Sequence, residues 1–224
     1  MRLNKFIAQA GICSRRKADE LISSGKIKIN GQKVNTLGIE INEINDIVEY
    51  NGKIIKPIKN KIYLALNKPV GYISSVSSIQ GKSVLDLIKL KIRIYPVGRL
   101  DKDSRGLILL TNDGEFAYQL TQAKFNYDKE YLVTLDRPFK LTDKKKLEQE
   151  MILDSQIVRG AKVAKIKGEK INLILHEGVN RQIRRMMKIL GYEVLDLCRI
   201  RIGKLTLNNL PEGKYRKITP NQVI

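Results

Sequence analysis

The chain has 224 residues and carries 42 Lys and Arg against 23 Asp and Glu, a formal net charge of +19 with a sequence pI near 9.9; it is long enough for one large domain, or a small and a medium one, and points to a polyanionic partner, most often nucleic acid. A single histidine, two distant cysteines, and the lack of GxxxxGK[ST] or GxGxxG exclude His-rich metal sites, zinc or disulfide spacing, a phosphate loop and a dinucleotide fingerprint. Catalysis would have to rely on Asp, Glu, Arg, Lys or Tyr, with no cofactor and no metal.

The opening MRLNKFIAQAG mixes charge into its apolar positions and has no signal-peptide core, and no run of about 18 apolar residues follows. The expected setting is cytoplasmic, with no membrane partner. Leu3, Phe6, Ile7 and Ala10 recur at helical spacing and predict an amphipathic helix ending near Gly11. Ser14 stands at the N-cap of a second helix, whose Ala18, Leu21 and Ile22 form a short apolar stripe before Gly25. KIKIN-GQKV and DIVEY-NGKII each put an Asn-Gly pair between strand-like arms, which predicts two hairpins. KPIKNK (56–61) is polar and proline-marked and reads as a linker, so a small domain over 1–58 and a larger one over 62–224 are expected. Residues 1–38 carry eight Lys or Arg and two acids. Arg15, Arg16 and Lys17 fall in the first turn of the second helix, where cations oppose the helix dipole. They suit a phosphate-binding edge; the alternative is an exposed basic turn without a partner.

From residue 62 strands predominate. IYLAL, LILLT, KEYLVTL and KINLILH are β-like, and helices are expected over 83–90, 114–122, 142–150 and 181–190. Strands and helices do not alternate regularly, so the fold class is α+β, with a mixed, mainly antiparallel sheet and flanking helices. GRLDKDSRGLILLTNDG (98–114) holds Asp101 on a bend bounded by Gly98 and Gly106. By itself this is either an ordinary turn aspartate or the one acid that chemistry requires. In LILHEGVNRQIRRMMKILGYEV (173–194), Asn180 is the expected N-cap of a helix closed by Gly191. Ile183, Met186, Met187 and Leu190 form its apolar face; Arg181, Arg184, Arg185 and Lys188 form a second set with the same spacing. At ~100° per residue Arg184 lies on the border between them. It can reach a pocket while Arg181, Arg185 and Lys188 meet phosphates; the alternative is a solvated basic face.

Two resemblances follow from these stretches. The helix-helix-hairpin order, with G-x-C-S-R-R and G-K-I-x-I-N-G, resembles the small S-four-type (alpha-L) RNA-binding module, which implies that Lys5, Ser14, Arg15, Arg16 and Lys17 face structured RNA. GRLDKDSRGLILLTNDG and EGVNRQIRRMMKILGYEV resemble signature segments of the ribosomal RNA pseudouridine synthases of the RsuA/RluB/RluF group, closest to the RluF-like large-subunit branch; NKPVGY (67–72) and KEY (129–131) match two further segments. The resemblance implies a pseudouridine synthase fold and cofactor-free isomerisation of a uridine in large-subunit rRNA; a synthase acting on small-subunit rRNA or tRNA is the alternative substrate reading, and a monomer is expected. It makes Asp101 the nucleophile or base, Arg184 its ion-pair partner and Tyr131 the ring packed on the target base. Arg99 would hold the loop or contact phosphate, and Lys68, Pro69 and Gly71 would shape a loop beside the site. Ser104 and Arg105 depart from residues common among relatives, which bears on substrate choice. The rival reading is an rRNA-binding ribosome-assembly factor without chemistry.

Overall fold

The computed structural model describes all 224 residues. They form two compact units, Met1–Lys61 with Leu90–Arg93 and Asn112–Gly114, and the remainder of the chain.

In the first unit the apolar spacing folds as helix α1 (Leu3–Gln9) and helix α2 (Arg15–Ser23), with the Ser14 side chain accepting from the Lys17 amide at 3.2 Å. Strands β1 (Ile27–Ile29), β2 (Gln32–Val34), β3 (Val48–Tyr50) and β4 (Lys53–Ile54) make a four-stranded sheet in the order β2-β1-β3-β4. Both Asn-Gly pairs turn in the left-handed region, Asn30 and Gly31 at φ 50° and 81°, Asn51 and Gly52 at 49° and 72°. That is the backbone a two-residue hairpin needs to match strand twist. Leu3, Phe6, Ile7, Ala18, Ile22 and Ile27 form the core of this unit.

The second unit is built on one nine-stranded sheet. Its strands are β5 (Tyr63–Lys68), β6 (Tyr95–Val97), β7 (Arg105–Thr111), β8 (Lys129–Leu135), β11 (Lys162–Lys167), β12 (Lys170–Leu175), β13 (Val194–Ile202), β14 (Leu205–Thr206) and β15 (Tyr215–Lys217); β9 (Met151–Leu153) and β10 (Gln156–Val158) form a separate hairpin. The main path runs β11-β12-β8-β13-β7-β5-β15, and only the β13–β7 pairing is parallel. The expected mixed, mainly antiparallel sheet is what forms. Helices α3 (Gly114–Thr121), α4 (Leu141–Glu148) and α5 (Gln182–Ile189) accompany it, and no helix is long and apolar enough to cross a membrane.

Two expectations need correction. The segment 83–90 holds only a short 3-10 turn, Val84–Leu87, after which Ile88 is extended at φ −115° and ψ 120°. Val84 is buried and Leu85, Leu87 and Ile88 all pack on the same core, so apolar spacing that would also suit an α-helix is satisfied by one 3-10 turn and an extended residue. The N-cap of α5 is Arg181 rather than Asn180, in the left-handed conformation (φ 49°, ψ 30°). No side chain caps the first turn of α5; the Gln182 side chain instead accepts from the Val179 amide, ahead of the helix, at 3.2 Å.

The parallel β13–β7 contact depends on a missing side chain. Gly106 pairs with Arg199 at φ 104°, and a Cβ there would lie 2.4 Å from the Arg199 carbonyl oxygen and 2.7 Å from its amide nitrogen. Both neighbours are backbone and cannot step aside. Gly106→Ala is therefore expected to lower unfolding stability by about 1–3 kcal/mol, the usual cost of forced overpacking, in chemical denaturation.

Candidate active site

Asp101 sits in the connection between β6 and β7, in a turn closed by the Ser104 amide donating to the Asp101 carbonyl at 3.1 Å. Other segments hold the turn. The Ser74 hydroxyl donates to the Leu100 carbonyl (2.8 Å) and accepts from the Leu100 amide (3.0 Å), and the Gly71 amide donates to the Lys102 carbonyl (2.8 Å). Lys68, with no exposed surface, donates from Nζ to the carbonyls of Ser104 (2.6 Å) and Pro69 (2.9 Å). Burial pushes its ammonium down to about 8, against the pull of Asp103 and Asp101. NKPVGY thus braces the turn that carries Asp101.

The α5 arginines differ from expectation. Arg184 does not pair with Asp101: it contacts Asp103, with Nε 3.4 Å from Oδ2 and Nη2 donating to the Asp103 carbonyl at 3.0 Å, while Nη1 donates to the Val194 carbonyl at 2.7 Å. Arg181 is the arginine nearest Asp101, Nη1 to Oδ2 at 4.0 Å, and it grips Asp103 with two bonds of 3.0 and 2.8 Å. The reason is the left-handed backbone of Arg181, which takes it off the regular helical wheel of α5. This Arg181 fork holds the Asp103 carboxyl below its ordinary range. Arg185 pairs with Asp154 at 2.8 Å; of the four basic residues Arg181 and Lys188 are exposed, and Lys188 alone of the two is in no ion pair. Arg105 makes a two-bond pair with Asp196 (2.9 and 2.8 Å), and Ser104 is fully buried.

Asp101, Tyr131, Arg99 and Arg181 line one cavity of about 240 Å³; Arg184 does not. Tyr131 is 9% exposed on β8, directly opposite Arg199 of β13, so the two side chains share a face of the sheet. Lys129, two residues earlier on β8, faces the same way. Lys129 and Arg199 also line the cavity and were not singled out by the sequence. Lys129 had a signal, the alternation of KEYLVTL. Arg199 had none, because Leu197, Cys198 and Arg199 are buried one after another, without a period. The lining therefore carries one carboxylate and four cations, over an aromatic ring. No three His, Cys, Asp or Glu side chains converge to hold a metal ion.

In the first unit Ser14, Arg15, Arg16 and Lys17 are exposed at the start of α2, while Lys5 is half-buried on α1. Lys17 also pairs with Glu20. A second concavity in this unit is lined by Lys26, Lys28 and Lys33 beside Tyr50.

Residues 62–188 match the family described as RNA pseudouridylate synthase, and residues 1–48 match the S4 domain. The chain is 38% identical over 226 residues to "Dual-specificity RNA pseudouridine synthase RluF" of Escherichia coli (strain K12), covering 100% of this chain and 77% of that protein. It is 41% identical to "Ribosomal large subunit pseudouridine synthase B" of Bacillus subtilis (strain 168), over 99% of this chain and 93% of that protein. A solved crystal structure of a pseudouridylate synthase superposes with a TM-score of 0.73 at 30% identity, covering 100% of this chain and 98% of that one.

Lys68 yields a pH signature. Its folded value of about 8 lies below the ordinary 10.5, so the unfolded chain binds the extra proton between the two. Stability then rises with pH across that window, by at most about 1.4 kcal/mol per pH unit. Denaturation of wild type and Lys68→Met at pH 7 and pH 10 is expected to show wild type gaining relative to the variant at the higher pH.

Proposed function

The chain belongs to the RNA pseudouridylate synthase family, and from that premise we propose that it converts a uridine of large-subunit ribosomal RNA to pseudouridine, with Asp101 as the carboxylate that meets the ribose. The observation that carries this reading is the half-buried Asp101 side chain, alone among four cations in a cavity over Tyr131. A protein that only grips RNA gains nothing from a carboxylate turned toward a polyanion. Substrate class follows the two relatives named above, one a dual-specificity RNA enzyme and one a large-subunit enzyme.

RNA is held by charge and read by shape. The exposed cations at the start of α2 meet phosphates at a helix N-terminus, the S4-type contact. A uridine inside folded RNA must leave its stack to reach the cavity, at a cost of a few kcal/mol, least where the base is already unpaired. Selection therefore follows unpaired bases within RNA structure more than linear sequence. Arg99, exposed at the cavity rim, meets the RNA as the base enters. Inside, Tyr131 packs on the base and Asp101 acts on the sugar, as nucleophile at C1′ or as base at C2′. Arg181 faces the Asp101 carboxylate, while Arg184 and Lys68 act through the turn, positioning it by its carbonyls. The enzyme works as a monomer in the cytoplasm.

Asp101→Asn tests this. The variant is expected to bind rRNA fragments within about twofold of wild type and to form no pseudouridine, read by chemical mapping. Pseudouridine formed at the wild-type rate would remove Asp101 from the reaction and favour an assembly factor. Mapping rRNA and tRNA from cells with and without the gene identifies the position.

A further inference from the structure

Arg199 is the most deeply enclosed cation of the cavity, 3% exposed. Nε donates to the neutral carbonyl of Leu107 at 2.7 Å, and Nη2 is buried without a partner. Beside it Lys129 is also buried in part, and its Nζ likewise serves a neutral carbonyl, that of His176 at 3.2 Å. Enclosing a guanidinium without an acid is costly, and a second cation on the same sheet face adds repulsion. Burial above all, and then the charge of Arg199, lower the affinity of Lys129 for its proton, with Glu177 pulling the other way. Asp101, the cavity's one acid, has Arg181 as its nearest arginine. Neither cation has a carboxylate at ion-pair distance, and each serves a neutral carbonyl, so close negative charge at the floor is left to what binds there.

The reaction supplies it. When the C1′–N1 bond of uridine breaks, its electron pair leaves with the base as a uracil anion, spread over N1, C5, O2 and O4. Asp101 meanwhile bonds to C1′ or takes the C2′ proton. The base turns and C5 bonds to C1′, as the bond from Asp101 to C1′ breaks or Asp101 returns the proton to C2′; the C5 proton is lost as N1 gains one, so atoms and charge balance. A phosphate belongs at the mouth, where the backbone runs, whereas Arg199 lies at the depth of the base. We propose that Arg199, assisted by Lys129, binds the detached uracil anion through a carbonyl oxygen and retains it while it turns. This rests on the synthase reading above.

The test compares single-turnover consumption of the target nucleoside in RNA carrying uridine or 5-fluorouridine there. Fluorine stabilises the base anion by itself, so the enzyme's share matters less. Arg199→Gln keeps a donor for Leu107 and removes the charge. It is expected to slow uridine consumption at least 100-fold but 5-fluorouridine consumption less than 10-fold, with RNA affinity unchanged. Lys129→Met, at a less buried site, should repeat the pattern with a loss of about 10-fold on uridine, and it decides the matter should Arg199→Gln not fold. Equal losses on both bases, or a loss of RNA affinity matching the loss of rate, would overturn the proposal. A wild-type enzyme that makes no pseudouridine would instead overturn the functional reading beneath it.

Discussion

Five consecutive carbonyls, from Leu100 to Ser104, are each taken by a different donor. Ser74 holds the first, Ser104's own amide the second, Gly71's amide the third, Arg184 the fourth and Lys68 the last. A surface loop would leave these oxygens to water and move with it. Here the donors come from β5, from the segment after it and from α5, so Asp101 inherits the rigidity of the sheet. An acting carboxylate has to be held within a fraction of an ångström, and a backbone gripped at every oxygen does that better than a partner gripping the side chain. Arg184 illustrates the difference: its contribution is made on main chain and on Asp103, not on Asp101.

The same region concentrates the protein's costly features. Lys68 is a fully buried ammonium serving two carbonyls, Arg199 a guanidinium 3% exposed, and Arg181 a non-glycine residue in the left-handed region. Features of this kind each disfavour folding by an amount of order 1–3 kcal/mol or more, and they persist only where well-packed structure surrounds them. β7 provides that support: Leu107, Ile108, Leu109 and Leu110 are all buried, and its neighbours β5, β6 and β13 close both sides. The apolar run following the Asp101 bend is the footing on which the strained residues stand.

Charge serves two tasks at two depths. The +19 excess lies mostly on exposed Lys and Arg, where it attracts RNA from a distance and weakens with salt. Lys68, Lys129 and Arg199 are withdrawn from solvent, where a charge acts over a few ångströms and is screened little. Composition speaks for the first group alone.

The sequence by itself determined what local rules decide. The Asn-Gly pairs, the helical spacing around Phe6 and Ile7, the alternation that buries Tyr131, and the glycine-bounded bend at Asp101 are all set within a few residues. The irregular run of strands and helices was enough for the mixed sheet. Tertiary structure alone decided which arginine meets which aspartate, since Arg181 leaves the helical wheel through its backbone and reaches a turn 78 residues away. It decided too that Asn180 is no cap and that 83–90 holds only a 3-10 turn, Val84–Leu87. Lys68 and Arg199 gain their character only when strands distant in the chain enclose them, and burial by remote neighbours has no period for a sequence to display.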